Sequence, residues 1–304
     1  MSRGADNDRW FLPAGSRAEE GCDLVIDDRV DDWHRTGLVT ATLAPGESLT
    51  RDLGSWEAVV VPLCGPVTLE VSGAEGHETI ELAGRQDVFA GPTDVVYAPR
   101  GSSLTLTGAG GTGAPTRVAI CLALDETVRE SPKATHLPAA EVPVELRGAG
   151  VASRQVRNFG LPGVLEANRI IACEVITPAG NWSSWPPHKH DTERPGVEAE
   201  LEEIYYFETR STDERGVDAL GYQRVYGTAD RPIDVLVEVR TGDVVLVPHG
   251  WHGPAVAAPN ADLYYLNVMA GPGPERAWLI CDDPVHGWVR ESWPDLPVDP
   301  RLTT

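Results

Sequence analysis

Apolar residues fall along this chain in short blocks of four to eight, rich in β-branched side chains and closed off by Gly, Pro, Asp or Asn. In the first half they include Ala58-Val59-Val60-Val61-Pro62-Leu63, Val67-Thr68-Leu69-Glu70-Val71, Asp94-Val95-Val96-Tyr97-Ala98 and Val118-Ala119-Ile120-Cys121-Leu122. In the second half they include Arg169-Ile170-Ile171-Ala172-Cys173-Glu174-Val175, Ile204-Tyr205-Tyr206-Phe207, Asp234-Val235-Leu236-Val237-Glu238-Val239, Val244-Val245-Leu246-Val247 and Leu263-Tyr264-Tyr265-Leu266-Asn267-Val268. Branched and aromatic side chains suit a pleated, half-buried backbone, so each block predicts a strand. No stretch of ten or more residues keeps a 3.6-residue period, and few helices are expected.

Two of the strand blocks end alike. Asp94 to Gly101 and Asp243 to Gly250 both read Asp-Val-Val-x-x-Pro-x-Gly, each late in a strand-rich stretch. The repeat suggests two similar β-domains, residues 1–140 and 141–304, linked near 126–150, where Glu, Pro, Ala and Gly dominate and apolar periodicity fades. The 31 Gly and 25 Pro in 304 residues are spread as punctuation, as an all-β chain with many turns requires.

Charge narrows the partners. With 25 Lys+Arg against 46 Asp+Glu the net charge is −21, which repels a phosphate backbone; no nucleic-acid partner is expected. No apolar run is long enough to span a bilayer, so no membrane association is expected either. The five cysteines are scattered without a CxxC, and the start of the chain lacks an apolar leader; free thiols in a reducing cytoplasm are expected.

The chemistry concentrates in the second half. Alternate residues of a strand share a face, so His188 and His190 in Pro186-Pro187-His188-Lys189-His190-Asp191 point the same way. Glu203 opens a later strand, and Pro248-His249-Gly250-Trp251-His252 brings a further histidine after another. His188, His190, His252 and Glu203 make a divalent transition-metal site of three imidazoles and one carboxylate.

These strings resemble the two cupin motifs, His-x-His followed by Glu, then Gly-x5-Pro-x-Gly-x-x-His. Gly242 stands six residues before Pro248, as the second motif requires; an insertion at 191–202 separates His190 from Glu203, and the Gly250-to-His252 step is one residue short. The first half keeps the Pro99-Arg100-Gly101 turn without a His-x-His, which implies a cupin that holds no metal. The implied fold is an all-β bicupin: two tandem double-stranded β-helix (jelly-roll) barrels with few helices. Asn181-Trp182-Ser183-Ser184-Trp185-Pro186-Pro187-His188-Lys189-His190-Asp191, Leu201-Glu202-Glu203-Ile204-Tyr205-Tyr206 and Asp262-Leu263-Tyr264-Tyr265-Leu266-Asn267-Val268-Met269-Ala270-Gly271-Pro272 are similar to the 5-deoxy-glucuronate isomerase family of myo-inositol breakdown, itself akin to the 4-deoxy-uronate isomerases.

That resemblance implies an aldose–ketose isomerase converting 5-deoxy-D-glucuronate to 5-dehydro-2-deoxy-D-gluconate. It implies one divalent metal ion in the second barrel, Zn or Mn ahead of Fe or Ni, and a sugar-acid substrate; the family often forms homo-oligomers. Isomerisation through an enediol needs a polarised carbonyl and a proton carrier. Tyr205, Tyr265 and Asp191 are the proton-transfer candidates. Arg224, Arg276 and Lys189 are candidates for the substrate carboxylate, with Lys189 alternating away from the histidines. Two other readings stay open: an Fe(II) cupin oxygenase with the same ligands, and a sugar-acid-binding cupin without catalysis.

Overall fold

Strands buried on both faces organise this molecule. In Trp56–Cys64, Ala58 and Val60 face one way, into an aliphatic cluster with Val39, Leu69 and Ile120. Val59, Val61 and Leu63 face the other, into a larger cluster shared with residues 156–270. Thr116–Leu124 divides in the same manner, with Val118 and Ile120 to one side and Ala119 and Cys121 to the other. That is why these segments read as continuous apolar runs rather than alternating ones.

The computed structural model describes residues 3–303 apart from 75, 111–112 and 214–217. Two antiparallel barrels follow one another. In the first, a sheet ordered Thr135–Leu137, Val95–Ala98, Trp56–Cys64, Thr116–Leu124, Thr36–Leu43, Leu24–Ile26 faces a sheet ordered Ser48–Asp52, Ser103–Gly108, Val67–Gly73, Gly76–Leu82. In the second, a sheet ordered Phe11–Leu12, Val244–Val247, Glu202–Ser211, Ala261–Ala270, Ile171–Thr177, Arg154–Gly160, Val144–Arg147 faces one ordered Trp182–Ser183, Ala255–Ala257, Gly221–Tyr226, Asp234–Val239. Among the described residues the α-helices, Asn7–Trp10 and Val289–Ser292, have four residues each, and no helix is long and apolar enough to cross a membrane.

The repeated motif marks equivalent places. Val95–Ala98 and Val244–Val247 each pair with a long strand, Trp56–Cys64 and Glu202–Ser211. Each motif begins with an Asp whose carboxylate accepts backbone N–H groups, Asp94 from Ala83 and Gly84, Asp243 from Ala14 and Arg240.

The halves do not divide as simply as 1–140 and 141–304. Phe11–Leu12 is an edge strand of the second sheet, pairing with Val244 and Val245, and Trp10 lies buried behind it. The stretch at 126–150 is also structured: Thr135–Leu137 pairs on the first large sheet and Val144–Arg147 on the second. Exposed side chains on these edge strands hide their period.

Candidate active site

The three histidines arrive from two directions. His188 and Lys189 pair with Asp282 and Cys281, and His188 also exchanges backbone hydrogen bonds with His252 at 2.9 and 2.8 Å. The insertion after His190 is a small hairpin, Asp191–Arg194 with Glu198–Glu200, that returns the chain to the strand Glu202–Ser211.

Two glycines make room for this convergence. Gly250 has φ +94°, and a Cβ there would stand 2.8 Å from the Ile233 side chain and 2.9 Å from the Tyr226 carbonyl. Gly253 has φ +107°, and its Cβ would meet the His188 ring at 2.7 Å. Only glycine fits either position without displacement.

The nitrogen donors of His188, His190 and His252 lie within 4.8 Å of one another, in side chains that are all buried. Glu203 Oε2 stands 3.0 Å from His190 Nε2 and 2.9 Å from His252 Nε2, and those two nitrogens are 3.1 Å apart. The His252 Nδ1–H donates to the Gly250 carbonyl at 2.8 Å, and His190 Nδ1 faces the Leu201 carbonyl at 3.3 Å. Backbone carbonyls thereby fix the tautomer that turns Nε2 toward the centre, the outer support expected of metal-binding imidazoles. Burial and the two neighbouring imidazoles hold His188 well below its ordinary pKa, hence neutral. Burial favours a protonated Glu203, but its close contacts with the His190 and His252 rings overcome it and bring the carboxyl down to about 2. Three imidazoles and one carboxylate on a shared centre, dry and converging, fit a divalent transition metal. Glu202, one residue earlier, points the other way and accepts the backbone N–H groups of His34 and Arg35 in the first half.

The proton-transfer candidates separate. Tyr205 is buried, its ring 6.2 Å from His252 and 5.2 Å from Tyr265. The Tyr265 hydroxyl lies 2.6 Å from Ser183 Oγ and 3.1 Å from Ser184 Oγ. Burial pushes both phenols up, so both are neutral. Asp191 is a tether instead: it takes Lys189 Nζ at 2.5 Å and the Gly250 N–H at 2.8 Å, and these hold its carboxyl below the ordinary range against the opposing effect of burial. It locks the His-x-His segment to the Gly250 turn.

The expected carboxylate-binding cations lie elsewhere. Lys189 is bound to Asp191 and Glu198. Arg224 faces outward, paired with Asp234, on a cleft of about 680 Å³ lined by Trp182, Trp185 and Tyr222. Arg276 donates to the carbonyls of Ile170, Leu165 and Gly160, tying loops together. The sequence reading passed over two buried polar side chains of the second barrel, Arg154 and Gln223, which keep unpaired polar atoms. Their signal was slight: each is a single polar position on the inward period of a strand.

Residues 10–289 match the KduI/IolB family. A 5-deoxy-glucuronate isomerase of Geobacillus kaustophilus is 39% identical over 285 residues, 93% of this chain and 96% of the relative. One from Geobacillus thermodenitrificans is 38% identical over 286 residues, 93% and 97% of the two chains. The crystal structure of an IolB-like protein from Salmonella typhimurium superposes with a TM-score of 0.80 at 31% identity, covering 92% of this chain and 99% of that one. An oxalate decarboxylase of Lactobacillus farciminis, at 13% identity and TM-score 0.61 over 90% and 88% of the chains, shares the bicupin fold.

Proposed function

The chain belongs to the KduI/IolB family, and from that premise we propose that it is a metal-dependent 5-deoxy-glucuronate isomerase, interconverting the aldose acid 5-deoxy-D-glucuronate and the ketose acid 5-dehydro-2-deoxy-D-gluconate. The observation that carries this reading is the buried meeting of His188, His190, His252 and Glu203. These four residues would hold one divalent ion, Zn or Mn ahead of Fe or Ni, which when bound supplies a Lewis acid beside the substrate's C1 carbonyl and C2 hydroxyl.

The net reaction moves one proton from C2 to C1 and one from the C2 oxygen to the C1 oxygen, with no change in atoms or electrons. Tyr265 is suited to the oxygen-to-oxygen transfer: a neutral phenol can donate to one oxygen while Ser183 and Ser184 sustain its hydrogen-bond chain. Tyr205 stands between Tyr265 and the imidazoles, with its ring stacked on Phe207, and excludes water from the reacting carbons. Dry surroundings strengthen each polar contact with the developing enediolate.

The test is metal analysis and turnover of 5-deoxy-D-glucuronate on the purified protein and on a His188→Ala/His252→Ala variant. About one ion per chain, lost together with turnover in the variant, is the expected result. Metal without turnover would remove the isomerase reading, and turnover without metal would remove the metal from it.

A further inference from the structure

Among the described residues inside the second barrel, Arg154 is a cation without a counter-ion. Arg154 opens the strand Arg154–Gly160 and is only 5% exposed. Nη1–H donates to the Ala152 carbonyl at 3.2 Å, the Nε–H has no acceptor, and the guanidinium carbon stands 6.0 Å from the Trp293 ring. The other buried arginines are provided for. Arg85 and Arg157 share Glu174, and Arg276 has its three carbonyls. Arg147, opposite Arg154 in the sheet, pairs with Glu145 at 2.9 Å. An unpaired buried guanidinium is costly to a fold, and it recurs where a ligand supplies the missing anion. Burial pulls the Arg154 pKa down to about 10, which leaves it cationic at neutral pH.

Its position suits that role. Val156, two residues along on the same face, pairs with Val175, which in turn pairs with Tyr265, which pairs with Phe207. Along Glu202–Ser211 the inward residues run Glu203, Tyr205, Phe207. The inner wall therefore presents the metal ligand, then the two tyrosines, then Arg154. Across the barrel, Gln223 is fully buried with both amide atoms unpaired; it pairs with Ala255, which pairs with Ser183, the partner of Tyr265. A substrate with a carbonyl at one end, hydroxyls between and a carboxylate at the other matches this sequence of groups.

Resting on the isomerase reading, we propose that Arg154 binds the substrate carboxylate, with Gln223 holding a sugar hydroxyl, so that the second barrel recognises a sugar acid at both ends. A guanidinium meets a carboxylate through two parallel hydrogen bonds, and the orphan Nε–H is one of the donors such a pair uses.

The test compares wild type, Arg154→Lys and Arg154→Gln, all metal-loaded. It measures turnover of 5-deoxy-D-glucuronate, and binding of D-glucuronate and D-glucose by calorimetry. Arg154→Gln is expected to lower kcat/KM about 100-fold or more, mainly through KM, and Arg154→Lys to recover about tenfold of that loss. Arg154→Gln should also abolish the preference for D-glucuronate over D-glucose while melting no lower than wild type. A retained preference for the acid, an equal loss of both sugars, or a lower melting temperature without rescue by Lys would overturn the assignment. If wild type prefers D-glucuronate through Arg154 yet turns over no 5-deoxy-D-glucuronate, the carboxylate site stands and the isomerase reading falls.

Discussion

His188 keeps its place only because Gly253 has no side chain. Gly253→Ala would press a methyl group against the imidazole in a backbone conformation that disfavours alanine. We expect turnover to fall by about 100-fold, since small displacements of reacting groups carry penalties of that order, with metal content reduced in parallel. Elemental analysis beside the activity assay checks both. Asp191→Asn should behave differently. It loosens the tether to Lys189 and Gly250 but removes no proton carrier, so kcat should drop about tenfold or less with its pH profile unchanged, whereas losing a general base costs about 10²–10⁴. At this scale the sequence was legible wherever a two-residue period settles the face, as with His188 and His190. The same rule places Gln223 inside and Arg224 outside, but a lone strand does not say which of its faces is the inner one. Arg154 was less legible still, because its lack of a counter-ion depends on residues from remote segments.

At the scale of elements, the opening segment has the most to explain. Asn7 donates to the Leu236 carbonyl and accepts from the Leu236 N–H, and Trp10 packs 6.4 Å from Trp33 of the first barrel. Residues 4–14 therefore strap the first barrel to the edge of the second. Trp10→Ala should cost about 3–5 kcal/mol, read as a lower denaturant midpoint. The strands themselves were readable from their β-branched blocks and their Gly and Pro boundaries. The strap was not, because two residues of pairing leave no period, and neither were the polar edge strands Thr135–Leu137 and Val144–Arg147.

At the scale of the whole molecule, buried carboxylates join the barrels. Glu57 accepts the Tyr97 hydroxyl at 2.8 Å within its own barrel and the N–H groups of Asn168, Arg169 and Ile170 from the other half. Glu208 takes Arg117, and Glu174 takes Arg85 with the Tyr264 hydroxyl at 2.7 Å. Burial opposes charge on Glu174, but Arg85 and Arg157 outweigh it and hold its carboxyl below the ordinary value. The sign follows: this group contributes stability above the unfolded carboxyl pKa, about 4.3, and withdraws it as pH falls toward the lower folded value. Glu174→Gln should lose about 3–5 kcal/mol at neutral pH and show a shallower decline in acid, measured by urea unfolding from pH 7 to 3. The odd-numbered side chains of Trp56–Cys64 meet the second half in one continuous core. Recombination between this chain and a relative is constrained by that arrangement. A crossover near 126–150 would join two sheets shaped by different parents across the apolar core they share. An exchange confined to the outer strand Ser103–Gly108, whose Leu104 and Leu106 pack only within the first barrel's own cluster, would leave that contact inherited whole. The gene is thus easier to shuffle inside a domain than between domains.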